Sequence, residues 1–187
     1  MYIYLLKELA FISKLTYDFI YTIVNIKMKK INRKYGILFW ITGFSGSGKT
    51  LIAKKIKKKI EKKYGPTILF SGDDIRTLFN LKGYTYNERY ETVMKYCKLS
   101  RFIISQKINV IFAVVGLMSG IRQWNKKNIK NYLEIYVQSN IKKVAKRKQK
   151  KIYIKKSKNI VGIDIKPELP KNPDIKIINN FDKNLDV

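Results

Sequence analysis

The apolar residues of this chain fall into short unbroken runs separated by stretches of helical period. Ile37-Leu38-Phe39-Trp40-Ile41 is a continuous apolar run, the pattern of a strand buried on both faces. It leads into a glycine-rich loop. From Thr50 to Lys63 the spacing changes: Ile52, Ala53, Ile56 and Ile60 share one helical face, and lysines occupy the other. Gly65-Pro66 ends that helix. Thr67 to Phe70 predicts a second strand, and Ser71-Gly72-Asp73-Asp74 a polar turn. A helix is expected from about Asn87 to Gln106, carrying Tyr90, Val93, Met94, Cys97, Leu99, Phe102 and Ile103. Val110 to Val115 reads as a third strand, Ile121 to Tyr132 as a helix, Glu134 to Val137 as a fourth strand, and Ile141 to Lys151 as a helix. Residues 152–174 contain Gly162, Pro167, Pro170 and Pro173 and read as a long loop before a last strand, Ile175 to Ile178. Strands alternating with helices predict an α/β fold, a parallel sheet covered on both faces. No internal repeat and no second domain is visible.

The first 27 residues stand apart. Leu5, Leu9, Ile12, Leu15, Phe19 and Ile23 recur at helical spacing, but Lys7, Glu8, Lys14 and Asp18 interrupt the run. The longest uncharged stretch, Phe19 to Ile26, is far short of the ~20 residues of a membrane span. No small-residue cleavage site follows, so a cleavable signal is not indicated. Two readings stay open: an interfacial or docking helix, or an upstream reading of a gene start that belongs at Met28. Residues 1–33 are therefore set aside as an N-terminal extension. Residues 34–180 are expected to form the domain, and 181–187 a polar tail.

Composition changes the picture in three ways. With 187 residues the chain can build one domain with a sizeable core. There is one cysteine, Cys97, and no histidine. A disulfide within the chain and a cysteine zinc site are excluded, a reducing cytoplasmic setting fits, and any general base must be a carboxylate, lysine, tyrosine or water. Forty Lys and Arg against 13 Asp and Glu give a net charge of +27. That charge suits a nucleic-acid or membrane-surface binder. It suits equally a solvated lysine-rich surface, and the basic residues are spread along the whole chain without a nucleic-acid-binding signature.

The segment GFSGSGKT at 43–50 satisfies G-x-x-x-x-G-K-[ST]. Gly43, Gly46 and Gly48 let the backbone turn tightly and aim its N–H groups at phosphate oxygens, with Ser45 and Ser47 between them. The helix that follows adds the partial positive charge of its N-terminus. Lys49 is placed to reach the β- and γ-phosphates, and the Thr50 hydroxyl to ligate magnesium. The motif follows a buried strand and opens an amphipathic helix, as this mechanism requires. ATP and Mg²⁺ are the expected ligands. No N-K-x-D guanine motif is present, and the third strand ends in Gly116 where ATPases carry a second magnesium carboxylate. A small kinase fits these absences.

Four segments narrow the substrate: GILFWITGFSGSGKT, SGDDIR, Arg89 after the Gly83-Tyr84 pair, and GIDIKPELPKNPDIKI. Together, from about Gly36 to Ile178, they resemble the adenylyl-sulfate kinase family. The resemblance implies a P-loop NTPase fold, a three-layer α/β/α arrangement with a parallel sheet and a mobile lid. It implies transfer of the γ-phosphoryl group of ATP to the 3′-hydroxyl of adenylyl sulfate, a small-molecule nucleotide acceptor. Carried over by motif, Asp73 is the acid beside the acceptor hydroxyl, Arg76 and Arg89 hold the acceptor anion, and Tyr84 stacks on its base. Thr92 and Ile160 stand where the family has an acceptor-side Asn and Phe, and Arg147 matches an arginine near the ATP base. A carboxylate at the C-terminal end of a parallel strand also faces the phosphate loop across the crevice. Either Asp73 or Asp74 could cap the next helix; Asp73 is assigned to chemistry and Asp74 to the cap.

The departures from the family, at Ser71, Thr92, Gly116 and Ile160, all fall on the acceptor side. A subgroup associated with surface-polysaccharide genes shares this pattern, together with Arg122-Gln123-Trp124-Asn125 and Asn131-Tyr132-x-Glu134-Ile135-Tyr136. Phosphorylation of cytidine diphosphoramidate is an activity of that subgroup. The lysine-rich segment near Lys150 to Lys158 is expected to close as the lid. No nucleic acid partner and no transmembrane span are expected, and a homodimer is a possible assembly. The rival from another class is a nucleotide-dependent basic protein acting on nucleic acid or a membrane surface.

Overall fold

The computed structural model describes residues 31–146 and 158–179. The N-terminal extension up to residue 30, most of the expected lid and the tail lie outside the described residues. Five strands, β1 (Leu38–Gly43), β2 (Thr67–Ser71), β3 (Asn109–Val114), β4 (Tyr132–Gln138) and β5 (Ile175–Ile178), form one sheet in the order β2-β3-β1-β4-β5. Every pairing is parallel, with β1 central between β3 and β4. The helices are α1 (Lys49–Tyr64), α2 (Gly72–Leu78), α3 (Tyr86–Ser105), α4 (Ser119–Asn128) and α5 (Ile141–Lys146).

The pleat explains why the central strands are apolar throughout. Phe39 and Ile41 point to one face, where Ile52, Ala53, Ile56 and Ile60 of α1 cover them. Leu38 and Trp40 point to the other, where Ile75 of α2, Val93, Tyr96, Cys97 and Ile104 of α3 and Ile121 of α4 pack. Phe112 anchors that second layer, with Tyr96 stacked at 4.9 Å and Trp40 tilted at 5.4 Å between ring centroids. This is the expected three-layer α/β/α arrangement.

Three local expectations are corrected. The helix read as Ile121 to Tyr132 is α4, Ser119–Asn128, and β4 begins at Tyr132 rather than Glu134. Asn131 breaks the run between them. Its buried amide donates to the carbonyls of Asn32, Tyr35 and Gly36 and its oxygen accepts from Asn32 N–H. The same bonds build Asn32 into the domain, although the sequence reading placed residues up to 33 in the extension. In α3 the buried face runs through Val93, Tyr96, Cys97, Ser100 and Ile104, and Phe102 is 65% exposed. Finally, Ser71 closes β2 and α2 starts directly at Gly72, so the expected polar turn is the first turn of a helix.

Candidate active site

β1 delivers the glycine-rich loop to the carboxyl edge of the sheet, and α1 leaves from it. Gly48 sits at the N-cap of α1 with φ 91° and, having no side chain, leaves the first-turn N–H groups without a side-chain cap. A larger residue there would be strained in that left-handed conformation. The first-turn N–H groups of α1 thus face the loop's concavity, the arrangement that binds phosphate. Lys49 is buried, and its Nζ donates to the Phe44 carbonyl at 2.6 Å. Ser47 is buried behind the loop. Asn179, just past β5, donates from its side chain to the Ser47 carbonyl at 3.0 Å and from its backbone to Gln138. This support of the loop from the last strand was not visible in the sequence, where Asn179 marked only the start of a polar tail. Ser45 lines the neighbouring cavity.

That cavity, of about 800 Å³, is lined by Ser45 from the loop, Asp73, Arg76 and Thr77 from α2, Tyr84 and Arg89 around the start of α3, Val114 and Val115 at the end of β3, and Lys158 and Ile160. Ser45 of the phosphate loop and the expected acceptor residues Asp73, Arg76, Tyr84, Arg89 and Ile160 therefore meet in one crevice, while Lys49 and Thr50 are not among its lining residues. Asp73 occupies the first turn of α2. Asp74, the neighbour assigned to capping, is exposed and is not among the lining residues. It does not cap α2 either: the N-cap position belongs to Ser71, which makes no side-chain capping bond. Both acids instead sit inside the first turn, where negative charge complements the helix dipole.

The two arginines are held close together. Arg76 donates from Nη1 to the carbonyls of Leu81 and Gly83, at 2.9 and 2.8 Å. Arg89 donates from Nε to the Tyr84 carbonyl and from Nη2 to the Asn159 carbonyl, each at 2.8 Å. Both guanidiniums lie over the Tyr84 ring, at 4.6 and 5.0 Å from its centroid, within range of cation–π attraction. Burial and then the nearby Arg76 charge pull the Arg89 pKa down, while Asp73 and Tyr84 push it back up. Two half-buried guanidiniums in mutual repulsion, with Lys82 and Lys158 on the same cavity, make a receptacle for an anion. The expected role of Tyr84 thus gains a second component, because its ring also orients the arginines.

Other expected residues fall differently. Thr92 is buried in α3 and is not among the lining residues. Arg147 and the lid segment from Lys150 up to residue 157 lie outside the described residues. Gly116 N–H donates to the Thr42 hydroxyl at 3.2 Å, and a Cβ at 116 would come within 3.1 Å of the Trp40 indole. A side chain there would be in tight contact with that ring. Tyr96, absent from the sequence-based list, lines the cavity and points its hydroxyl toward the Gly72 carbonyl at 3.4 Å. Its only sequence signal was its position on the buried period of α3.

With this geometry in place, comparison with known proteins decides the family. The family model described as adenylylsulphate kinase matches residues 35–178. The chain belongs to the adenylylsulphate kinase family. A cytidine diphosphoramidate kinase of Campylobacter jejuni subsp. jejuni serotype O:2 is 32% identical over 153 residues, covering 80% of this chain and 89% of that protein. An adenylyl-sulfate kinase of Clostridium kluyveri is 29% identical over 160 residues, covering 82% of this chain and 80% of that protein. The structure of Mycobacterium tuberculosis APS kinase CysC in complex with AMPPNP and APS superposes with a TM-score of 0.69 at 23% identity, covering 77% of this chain and 88% of that one. That likeness bears on the fold. This family member is an ATP-dependent nucleotide kinase, and the reading as a nucleic-acid or membrane-surface binder is not favoured. Among the described residues no helix is long and apolar enough to cross a membrane.

Proposed function

We propose that the protein transfers the γ-phosphoryl group of ATP to the ribose 3′-hydroxyl of a small nucleotide whose second anionic group is joined through an anhydride-type link. The observation that carries this reading is the single crevice shared by the phosphate loop, Asp73 and the Arg76–Arg89 pair. The loop amides and Lys49 hold the triphosphate. The acceptor's anionic group sits on Arg76 and Arg89, and its base lies between Tyr84 and Ile160. Asp73 takes the 3′-hydroxyl proton as that oxygen attacks the γ-phosphorus. The bond from the γ-phosphorus to the bridging oxygen breaks, and ADP leaves.

Magnesium fits this site as an ion brought in on the substrate. Among the described residues no group of three or more carboxylate, cysteine or histidine ligands exists. Mg²⁺ commonly binds through substrate phosphates and few side chains. The Thr50 hydroxyl would hold it, and when bound it would neutralise phosphate charge. A cytoplasmic location, where ATP is available, belongs to the same proposal.

Two acceptors are weighed. Cytidine diphosphoramidate is supported by the Campylobacter relative and by the aliphatic wall that Ile160 gives the cavity. Adenylyl sulfate is supported by the family as a whole. Incubation with ATP and each acceptor, followed by mass identification of the product, tests the proposal. A 3′-phosphorylated nucleotide is expected, and hydrolysis of ATP with neither acceptor modified would overturn it.

A further inference from the structure

The motif GIDIKPELPKNPDIKI carried much of the family resemblance, yet the cavity lining stops at Val161, the residue before it, and none of the motif's own residues lines the cavity. Its glutamate nonetheless makes hydrogen bonds that all reach outside the loop. Glu168 Oε1 accepts from the Tyr86 hydroxyl at 2.8 Å, in the first turn of α3. Oε2 accepts from the Ser119 N–H at 2.8 Å and from the Ser119 hydroxyl, at the start of α4. The Glu168 N–H donates to the Leu117 carbonyl at 2.9 Å. One residue therefore ties the loop to α3, to α4 and to the connection that follows β3.

These are the elements around the acceptor cavity. Tyr86 is two residues from Tyr84 and three from Arg89, and Leu117 is two from Val115. The loop's other end is fastened to the same helix, because Arg89 Nη2 donates to the Asn159 carbonyl at 2.8 Å. Between the ties the loop closes on itself. Asp164 accepts from the Ile160 N–H at 2.8 Å, and Gly162 N–H donates to the Ile165 carbonyl at 2.8 Å. Gly162, with φ 93°, lies so close to Phe44 that a Cβ would be 2.6 Å from its ring. Ile160 and Val161, which line the cavity, thus belong to a rung held at both ends. From this we infer that Glu168 is a positioning residue: it sets the distance between the Ile160 wall and the Tyr84–Arg89 wall, and so governs binding of the nucleotide acceptor but not of ATP.

The inference rests on the proposed acceptor site, and two readouts separate the two. In the first, acceptor KM is measured with cytidine diphosphoramidate and with adenylyl sulfate. Glu168→Ala should raise it by about tenfold, the scale of a mispositioned binding wall, with ATP KM within about twofold of wild type. Glu168→Gln keeps an oxygen for Ser119 and should recover most of the loss. Tyr86→Phe removes only the tie to α3 and gives a smaller rise, and its half-exposed position keeps it foldable if the alanine variant is not. In the second, amide hydrogen exchange at residues 160–165 should quicken in Glu168→Ala with no substrate present. Unchanged exchange there would overturn the inference, as would equal rises in the KM of ATP and acceptor, or a lower Tm with acceptor KM unmoved. Faster exchange in a protein whose wild type phosphorylates neither acceptor would support the tie and overturn the proposed substrate.

Discussion

Lys49 reaches its Phe44 carbonyl partner from inside the phosphate loop, so its charge is already sited where the triphosphate would lie. Lys49→Ala should abolish phosphoryl transfer, measured as ADP formation coupled to acceptor phosphorylation; wild-type rates would remove the loop from the mechanism. Asp73 and Asp74 allow a sharper contrast, because only Asp73 lines the cavity. Asp73→Asn should lower turnover by on the order of 10²-fold with ATP binding retained, as expected for loss of a general base. Asp74→Asn should leave turnover near wild type, and the reverse ranking would reassign the base. Such residues were legible because motif and chemistry coincide in them. Glu168, Asn179 and Tyr96 were not, since their work is done by contacts 49, 132 and 24 residues away in sequence, which no local pattern encodes. Cys97 is a further case. Burial pushes its thiol up to about 12, so a neutral thiol is expected at pH 7. Iodoacetamide should label it only as denaturant unfolds the protein.

At the scale of elements, the start of α3 matters most, because Tyr84 and Arg89 flank it. Thr85 accepts from Glu88 N–H while the Glu88 carboxylate accepts from Thr85 N–H and its hydroxyl, a capping box. Thr85→Ala should cost ~1 kcal/mol, the usual scale for a lost N-cap, read as a fall in the denaturation midpoint. Glu88 thus spends its carboxylate on the cap, and Arg89 beside it is the residue that faces the cavity. Glu168 adds a pH signature. Its hydrogen bonds with Ser119, then Tyr86, hold its pKa below the ordinary glutamate value against a small opposing effect of burial. A lowered folded pKa contributes stability that is present above the unfolded value and lost as pH falls through the folded one. The Tm gap between wild type and Glu168→Gln should therefore be constant near neutrality and shrink only below ~4.3. The strands and α1 were readable because apolar run and apolar period are local properties. The end of α4 was not, because Asn131 is recruited by carbonyls nearly a hundred residues earlier.

For the whole molecule the dominant fact is a net charge of +27. A dense part of it lies on α1, whose exposed face carries Lys54, Lys55, Lys58, Lys59, Lys62 and Lys63 with Glu61 as the one acid. Exposed charges of one sign act in two ways, and salt affects the two oppositely. They raise the local concentration of anionic nucleotides, which speeds capture; this weakens as the Debye length falls from ~10 Å at 0.1 M to ~3 Å at 1 M. They also repel one another in the compact state, and screening relieves that repulsion. Raising NaCl should therefore lower kcat/KM for both ATP and the acceptor while kcat changes little and Tm rises. A fall in kcat/KM accompanied by a falling Tm would mean that salt is unfolding the enzyme, and the steering account would be lost. A neutral, non-ionic osmolyte at matched viscosity controls for diffusion. If it reproduces the salt effect, the charge is a solvated surface with no part in substrate capture.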